Sequence, residues 1–262
     1  MSREIRKEVL IDAPPDVVWR ALTDAEQLTQ WFPVDARVEP GQGGSIWLSW
    51  GAGMEGTAPI TAWEPTRRFQ WTEDRGPVKL AIDFHLEARG GKTLVRLVQS
   101  GFGDGASWDD EFHMLEGGWS YFLAHLAWYL QRHRNTRRHL ISFRERVPLS
   151  RTEALSRLIG PQGLFVQGAL SAAGPGEAFR DTTATGNSIS GTVVSKSAGT
   201  GQMSLTIGEM NDAILFLEME PDPNGTRAGF WLSTYGLDPA RLIATGQLYE
   251  KLYRQALGLP AA

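Results

Sequence analysis

Val78-Lys79-Leu80-Ala81-Ile82-Asp83-Phe84-His85-Leu86-Glu87 is the stretch on which the reading of the fold turns. Its apolar residues Val78, Leu80, Ile82, Phe84 and Leu86 alternate with Lys79, Ala81, Asp83, His85 and Glu87. A two-residue period puts each set on its own face of an extended strand. Residues 78–87 therefore predict an antiparallel strand with one packed face and one wet face, His85 being on the wet one.

Downstream, Arg89-Gly90-Gly91-Lys92 turns the chain into a strand over 93–102. The period then changes. Over 108–134, Phe112, Leu115, Trp119, Phe122, Leu123, Leu126 and Leu130 fall on one helical stripe. Upstream, strands are expected at 67–73, 54–63, 45–50 and 37–39. Glu64-Pro65-Thr66, a turn at 51–53 and Gly41-Gln42-Gly43-Gly44 separate them. A strand over 4–11 comes first, stopped by Asp12-Ala13-Pro14-Pro15. Proline at a first helical turn costs little, so a helix carrying Val17, Val18, Ala21 and Leu22 can begin there. Thr23 or Asp24 caps a second short helix reaching Trp31, and Pro33 ends it. The order is strand, two short helices, six strands and a long helix, an α+β pattern. An antiparallel sheet wrapped around that helix would leave a cavity beneath it.

The rest of the chain runs through a similar order. A strand is expected at 138–147. Ser150 then caps a helix, with Glu153 in the capping-box position and Ala154, Leu155, Leu158 and Ile159 as its apolar face. Gly160-Pro161-Gln162-Gly163 breaks it. Strands are expected at 164–170, 177–185, 189–196, 202–208, 213–220 and 227–235, with a final helix over 239–257 capped by Asp238. The expected domains are 1–137 and 138–262, the second a degenerate copy of the first.

A length of 262 residues allows one large or two small domains. The net charge of -4 does not suit a general nucleic-acid binder, and no nucleic-acid partner is expected. The sequence holds no cysteine, which removes disulfides, thiolate metal sites and cysteine nucleophiles. The first residues lack the apolar core of a signal peptide, and no stretch is long and apolar enough to span a membrane. A cytoplasmic protein without membrane association is the expectation. Nine of the ten tryptophans lie in residues 1–147, leaving only Trp231 beyond.

Several motifs resemble sites and fall short. Gly90-Gly91-Lys92-Thr93 looks like the end of a phosphate loop, but Leu86 stands where the first glycine is needed and both flanks read as strands. Gly41-Gln42-Gly43-Gly44 reads as a hairpin turn. His85, His113, His125, His133 and His139 show no metal-ligand spacing, so no metal and no cofactor are expected. Asp109, Asp110 and Glu111 suit the first turn of a helix, and no Gly-x-Ser-x-Gly elbow exists. Arg132, Arg134, Arg137, Arg138, Arg144 and Arg146 read as a solvated basic joint.

Residues 3–135 resemble the family named for the activator of heat-shock protein 90 ATPase, within the START-like (SRPBCC) superfamily. The resemblance rests on Ala13 to Thr23 around Trp19, on Leu28-Thr29-Gln30-Trp31-Phe32, and on Gly43-Gly44. It continues through Trp63-Glu64-Pro65, Phe69-Gln70-Trp71, Gln99-Ser100-Gly101-Phe102, and Gly118-Trp119 with Leu123 and Leu126. Thr234-Tyr235-Gly236 and the last helix look like a fainter second copy. The resemblance implies a helix-grip fold, a seven-stranded antiparallel sheet gripping a long C-terminal helix, often around an apolar ligand. It also implies a chaperone as a candidate protein partner. It carries over no catalytic residues.

On that fold the large aromatics become candidate ligand contacts. Trp47, Trp50, Trp63, Trp71, Phe84, Leu115, Trp119 and Phe122 would line an apolar chamber for a small hydrophobic or aromatic molecule. Gln99, in phase with Val95 and Leu97, would supply a hydrogen bond. Glu55, Thr57 and Glu116 are further polar candidates, and Gly117-Gly118 would make room in the helix. The expected function is binding without catalysis. The alternatives are a protein-binding module for heat-shock protein 90, or a cyclase- or hydrolase-type enzyme using Glu55, Glu116, Tyr121 or His125.

Overall fold

The computed structural model describes every residue except 1, 2, 52, 77, 104, 106, 107, 184 and 262. The expected turn at 51–53 and strand at 177–185 thus each include a position outside the described residues. The chain divides into two compact units, Met1–Asn135 and Thr136–Ala262.

The first unit runs β1 (Glu4–Ile11), α1 (Pro15–Thr23), α2 (Ala25–Leu28), β2 (Asp35–Glu39), β3 (Ser45–Ser49), β4 (Glu55–Glu64), β5 (Arg68–Arg75), β6 (Val78–Arg89), β7 (Lys92–Ser100) and α3 (Asp109–Trp128). Its strands form sheet 1 in the order β1-β7-β6-β5-β4-β3-β2. Every neighbour is antiparallel. The local signals act as read. Pro15 opens α1, and Asp24 caps α2 by accepting from the Gln27 amide at 2.9 Å. The helical segment expected over 108–134 is α3 followed by a π-helical turn, Tyr129–His133, whose Tyr129 hydroxyl donates to Gln27 Oε1 at 2.8 Å.

The alternation in β6 sets the two faces of sheet 1. Ile82, Phe84 and Leu86 are buried on the inner face. Asp83 faces the other way, as expected, but it is not wet: only 9% of it is exposed. Arg68 donates to its carboxylate at 2.8 Å, Gln70 at 2.9 Å, and His85 Nε2 stands 3.2 Å away. Cross-strand polar partners cover this carboxylate. In β4 the register shifts between Ile60 and Ala62, and this one-residue bulge lets Ile60 and Trp63 share the inner face despite their odd spacing.

The second unit repeats the order with one strand fewer: β8 (Arg138–Val147), α4 (Arg151–Ile159), α5 (Ala169–Ala172), β9 (Ala178–Thr182), β10 (Ser188–Ser197), β11 (Gln202–Ile207), β12 (Ala213–Asp222), β13 (Gly225–Tyr235) and α6 (Pro239–Leu257). Sheet 2 has the order β8-β13-β12-β11-β10-β9. The two units are tandem copies of one helix-grip architecture. Ser150 accepts from the Glu153 amide at 3.2 Å, and Asp238 accepts from the Arg241 amide at 2.9 Å, each opening its helix as read.

Residues 164–170 do not form the expected strand. A single backbone bond joins Val166 to Thr182, and the chain then leaves the sheet. Gly168 takes the left-handed conformation at φ 68°, and the buried Asp181 accepts from the Gln167 and Ala169 amides at 2.8 Å each, starting α5 instead. Lys196 closes the other end of α5 by donating to the carbonyls of Leu170, Ser171 and Ala173.

Candidate functional site

The residues that meet between sheet 1 and α3 are set by register. Trp71, Ile82, Gln99 and Ile5 form one cross-strand row on the inner face. Phe69, Phe84, Leu97 and Lys7 form the next. From α3, Trp119 reaches down to this surface. Its indole Nε1 donates to Gln99 Oε1 at 2.6 Å, and both residues are buried. Gln99 therefore does what its strand phase suggested, but its partner is Trp119.

A string of rings crosses the same space. The Trp71 ring stacks on Phe84 at 5.7 Å, and Phe84 meets Trp119 edge-on at 5.8 Å. Phe32 stacks on Trp119 at 5.4 Å and also contacts Phe122 at 4.7 Å and Trp50 at 5.2 Å. Phe32 was not among the expected contacts. Its sequence signals are the resemblance motif over Leu28 to Phe32 and the aromatic pair ahead of Pro33, where Trp31 is anchored by donating to the Ala21 carbonyl at 2.8 Å. Leu115, one turn before Trp119, is half-buried on the same stripe. Trp63 contacts Trp19 and Phe69 at 5.2 and 5.5 Å, and Phe69 meets Trp71 at 5.3 Å, so these rings extend the same string.

Other expected residues lie elsewhere. Trp47 pairs with Arg37 and Thr57, between inward-facing Ile46 and Leu48, so it occupies the outer face. There the Arg37 guanidinium sits over its ring at 4.6 Å. Glu55 and Thr57 are exposed on that face as well, alternating with buried Ala58 and Ile60. Gly118 is about 100° round the helix from Trp119. It makes no room under the indole; a methyl group there would approach Phe122 at 4.0 Å. Tyr121 and His125 contact each other at 5.3 Å on a stripe about 200° from Trp119, away from the inner face.

Charge reaches the inner face at two places only among the described strand residues. Lys7 pairs with Glu116 of α3 at 3.5 Å, where the edge strand β1 meets the helix, and Arg3 pairs with Asp109 further along the same seam. At the far end of β5, Glu73 pairs with Arg75 at 3.0 Å. The middle of the site is uncharged. One polar atom within it is unsatisfied. Trp71 is 2% exposed, and its Nε1 has no hydrogen-bond partner. An indole N–H can only donate, so no rotation relieves it, and burial without an acceptor costs about 1–3 kcal/mol.

No group of histidine and acidic residues able to hold a metal occurs among the described residues. Of the arginine cluster, Arg144 pairs with Glu220, and Arg146 Nε stands 3.0 Å from Asp222, both within the second unit. Arg132 sits over the Trp128 ring at 5.2 Å. On the face of sheet 2 turned from α6, burial and neighbouring Glu220 push the Glu218 carboxyl up to about 7. No helix among the described residues is long and apolar enough to cross a membrane.

Residues 12–131, which lie within the first unit, match the family of activator of Hsp90 ATPase homolog 1-like proteins. Among solved structures, the chain is similar to CalU16 from Micromonospora echinospora, at 25% identity and a TM-score of 0.40, over 48% of this chain and 74% of the other. It is similar to DynU16, from the dynemicin biosynthetic locus, at 20% identity and a TM-score of 0.43, over 97% of this chain and 96% of that one. The Aha1 dimer from Colwellia psychrerythraea is similar at 22% identity and a TM-score of 0.44, over 51% of this chain and 99% of the other. A search of curated proteins found no match.

Proposed function

We propose that the first unit holds a small apolar or aromatic molecule between sheet 1 and α3, and that it acts by binding alone. The observation that carries this reading is the Trp71 indole N–H, buried among aromatic rings without an acceptor. Phenylalanine would fill similar space without the desolvation cost, and an acceptor brought by a guest would relieve it. The rings of Trp50, Trp71, Phe84, Trp119 and Phe122 supply the apolar walls, joined by Phe32. Tyr121, His125 and Glu55 stand off the inner face, and Glu116 is engaged by Lys7, which disfavours the enzymatic alternative. Titration of the full chain with Nile red, followed by quenching of tryptophan emission, tests the reading. Saturable binding of one probe per chain supports it; the absence of any saturable phase overturns it.

A second reading follows from the family, whose description names an activator of the Hsp90 ATPase. On this reading the chain docks on that chaperone and speeds its ATP hydrolysis. Its test is the ATPase rate of a purified bacterial chaperone of that class with and without the chain. A rise that saturates with added chain supports it, and an unchanged rate removes it.

A further inference from the structure

We infer that the inner-face row of sheet 1 selects a neutral, flat aromatic molecule by a carbonyl oxygen, with Trp71 and Gln99 as its hydrogen-bond donors; this rests on the binding reading above. Trp71 and Gln99 share one row, separated only by Ile82. Two strand spacings place their backbones about 10 Å apart, and both side chains rise from the same face, so their polar ends can converge on one guest.

The chemistry of each group fixes what it offers. Trp71 presents one N–H and no lone pair, and it has no acceptor. Gln99 is oriented by Trp119. An indole can only donate, so the oxygen of the Gln99 amide must be the atom at 2.6 Å from Trp119 Nε1. Its two N–H bonds are therefore turned away from that indole. The row presents donors and commits its one acceptor internally. A guest that brings an oxygen acceptor satisfies it, whereas a guest that brings a hydroxyl donor must share an oxygen that Trp119 already engages.

Charge and shape narrow the class further. The neighbouring row carries Phe69, Phe84 and Leu97, and its lysine, Lys7, is paired with Glu116. A carboxylate guest would lack a free cation in the middle of the site and would lose its hydration. The walls are ring faces and edges, with Trp71 and Phe84 stacked at 28° between planes, which favours a flat guest. The Trp71 N–H is covered, so entry must displace a neighbouring ring, and association is slower than diffusion would allow.

The test compares two molecules of one shape, 9-fluorenone and fluorene, which differ by a carbonyl in place of a methylene. Their affinities for the full chain are measured by equilibrium dialysis. The expected result is fluorenone bound about tenfold more tightly, the ratio one buried hydrogen bond supplies. The ratio falls toward one in Trp71→Phe and is reduced in Gln99→Met, with near-ultraviolet circular dichroism confirming that each variant is folded. In the unmodified chain the Trp71 indole N–H proton resonance moves downfield with fluorenone and stays in place with fluorene. Equal affinity for the two compounds, or a preference that survives in both variants, overturns the inference while leaving the binding reading intact. Binding of neither compound overturns this inference, and the Nile red titration then decides the binding reading by itself.

Discussion

Between sheet 1 and α3, the rings of Trp71, Phe84, Trp119, Phe32 and Phe122 meet, and two of those rings are indoles with fixed donors. Between sheet 2 and α6, the corresponding space holds Phe143, Phe165, Phe230, Tyr249 and Tyr253 over Met203, Leu215 and Leu217. The Tyr253 hydroxyl is used twice, donating to the Ala228 carbonyl at 2.7 Å and accepting from the Glu145 amide at 3.2 Å. The Tyr249 hydroxyl has no hydrogen-bond partner, and burial holds its proton above the ordinary tyrosine range. The contrast lies in how two interiors of one architecture are filled. Phenylalanine needs no partner, and a tyrosine hydroxyl can rotate toward backbone, as that of Tyr253 does and that of Tyr249 does not. Indoles on a sheet face leave a direction that only a matching acceptor answers.

The contrast can be broken most forcefully by removing one ring from each interior. Phe84→Ala and Phe230→Ala are each expected to cost about 3–5 kcal/mol in urea unfolding. Nile red should return part of the loss in Phe84→Ala and none in Phe230→Ala; equal rescue of both would dissolve the distinction. Next in size is Gln99→Leu. It strands the Trp119 N–H and should cost about 1–3 kcal/mol, read in the same way. Within the second unit, Tyr253→Phe leaves the Ala228 carbonyl and the Glu145 amide without their side-chain partner and should cost about 1 kcal/mol. Tyr249→Phe removes only an unsatisfied group and should lie within about 0.5 kcal/mol of zero or stabilise. If the two tyrosines behave alike, the second interior is not the closed core described.

The smallest expected effect concerns pH and Asp222, at the β12–β13 turn. The Asn224 amide, Arg146 and Arg227 hold its carboxyl below the usual 3.8. A depressed folded value means stability that is present above 3.8 and lost as pH falls through the folded value. Asp222→Asn should therefore lower the Tm at neutral pH, and the gap should close in strong acid. A gap that is constant with pH would show that the carboxylate charge is irrelevant there.

The fold of the first unit was legible because β6 keeps a strict period and α3 changes it. The second unit was harder. In β12, Ile214, Leu215, Phe216 and Leu217 are all buried, so there is no alternation to say which face meets α6. The misread strand at 164–170 shows another limit: apolar Leu164, Phe165 and Val166 look extended, but Asp181, distant in sequence, captures the amides that would have paired. Trp47 failed for a related reason. Phase alone cannot say which of two apolar sets faces inward when Ile46, Trp47 and Leu48 are all apolar. The Gln99 position followed from phase, whereas its pairing with Trp119, and the lack of a partner for Trp71, arise only when separate elements come together.

β1 lies at the edge of sheet 1 and pairs only with β7, so that Glu4 faces Ser100 and Ile11 faces Thr93. The strands β2 to β7 are joined in order by neighbouring hairpins, which need only short loops to close and can assemble as the chain lengthens. β1 must instead wait for a partner about ninety residues behind it. A nascent chain halted before β7 would carry a growing meander and, in β1, a free, pairing-competent ribbon. The first unit is thus sealed late in synthesis, by its oldest segment, and that ribbon is where premature association with other chains would begin.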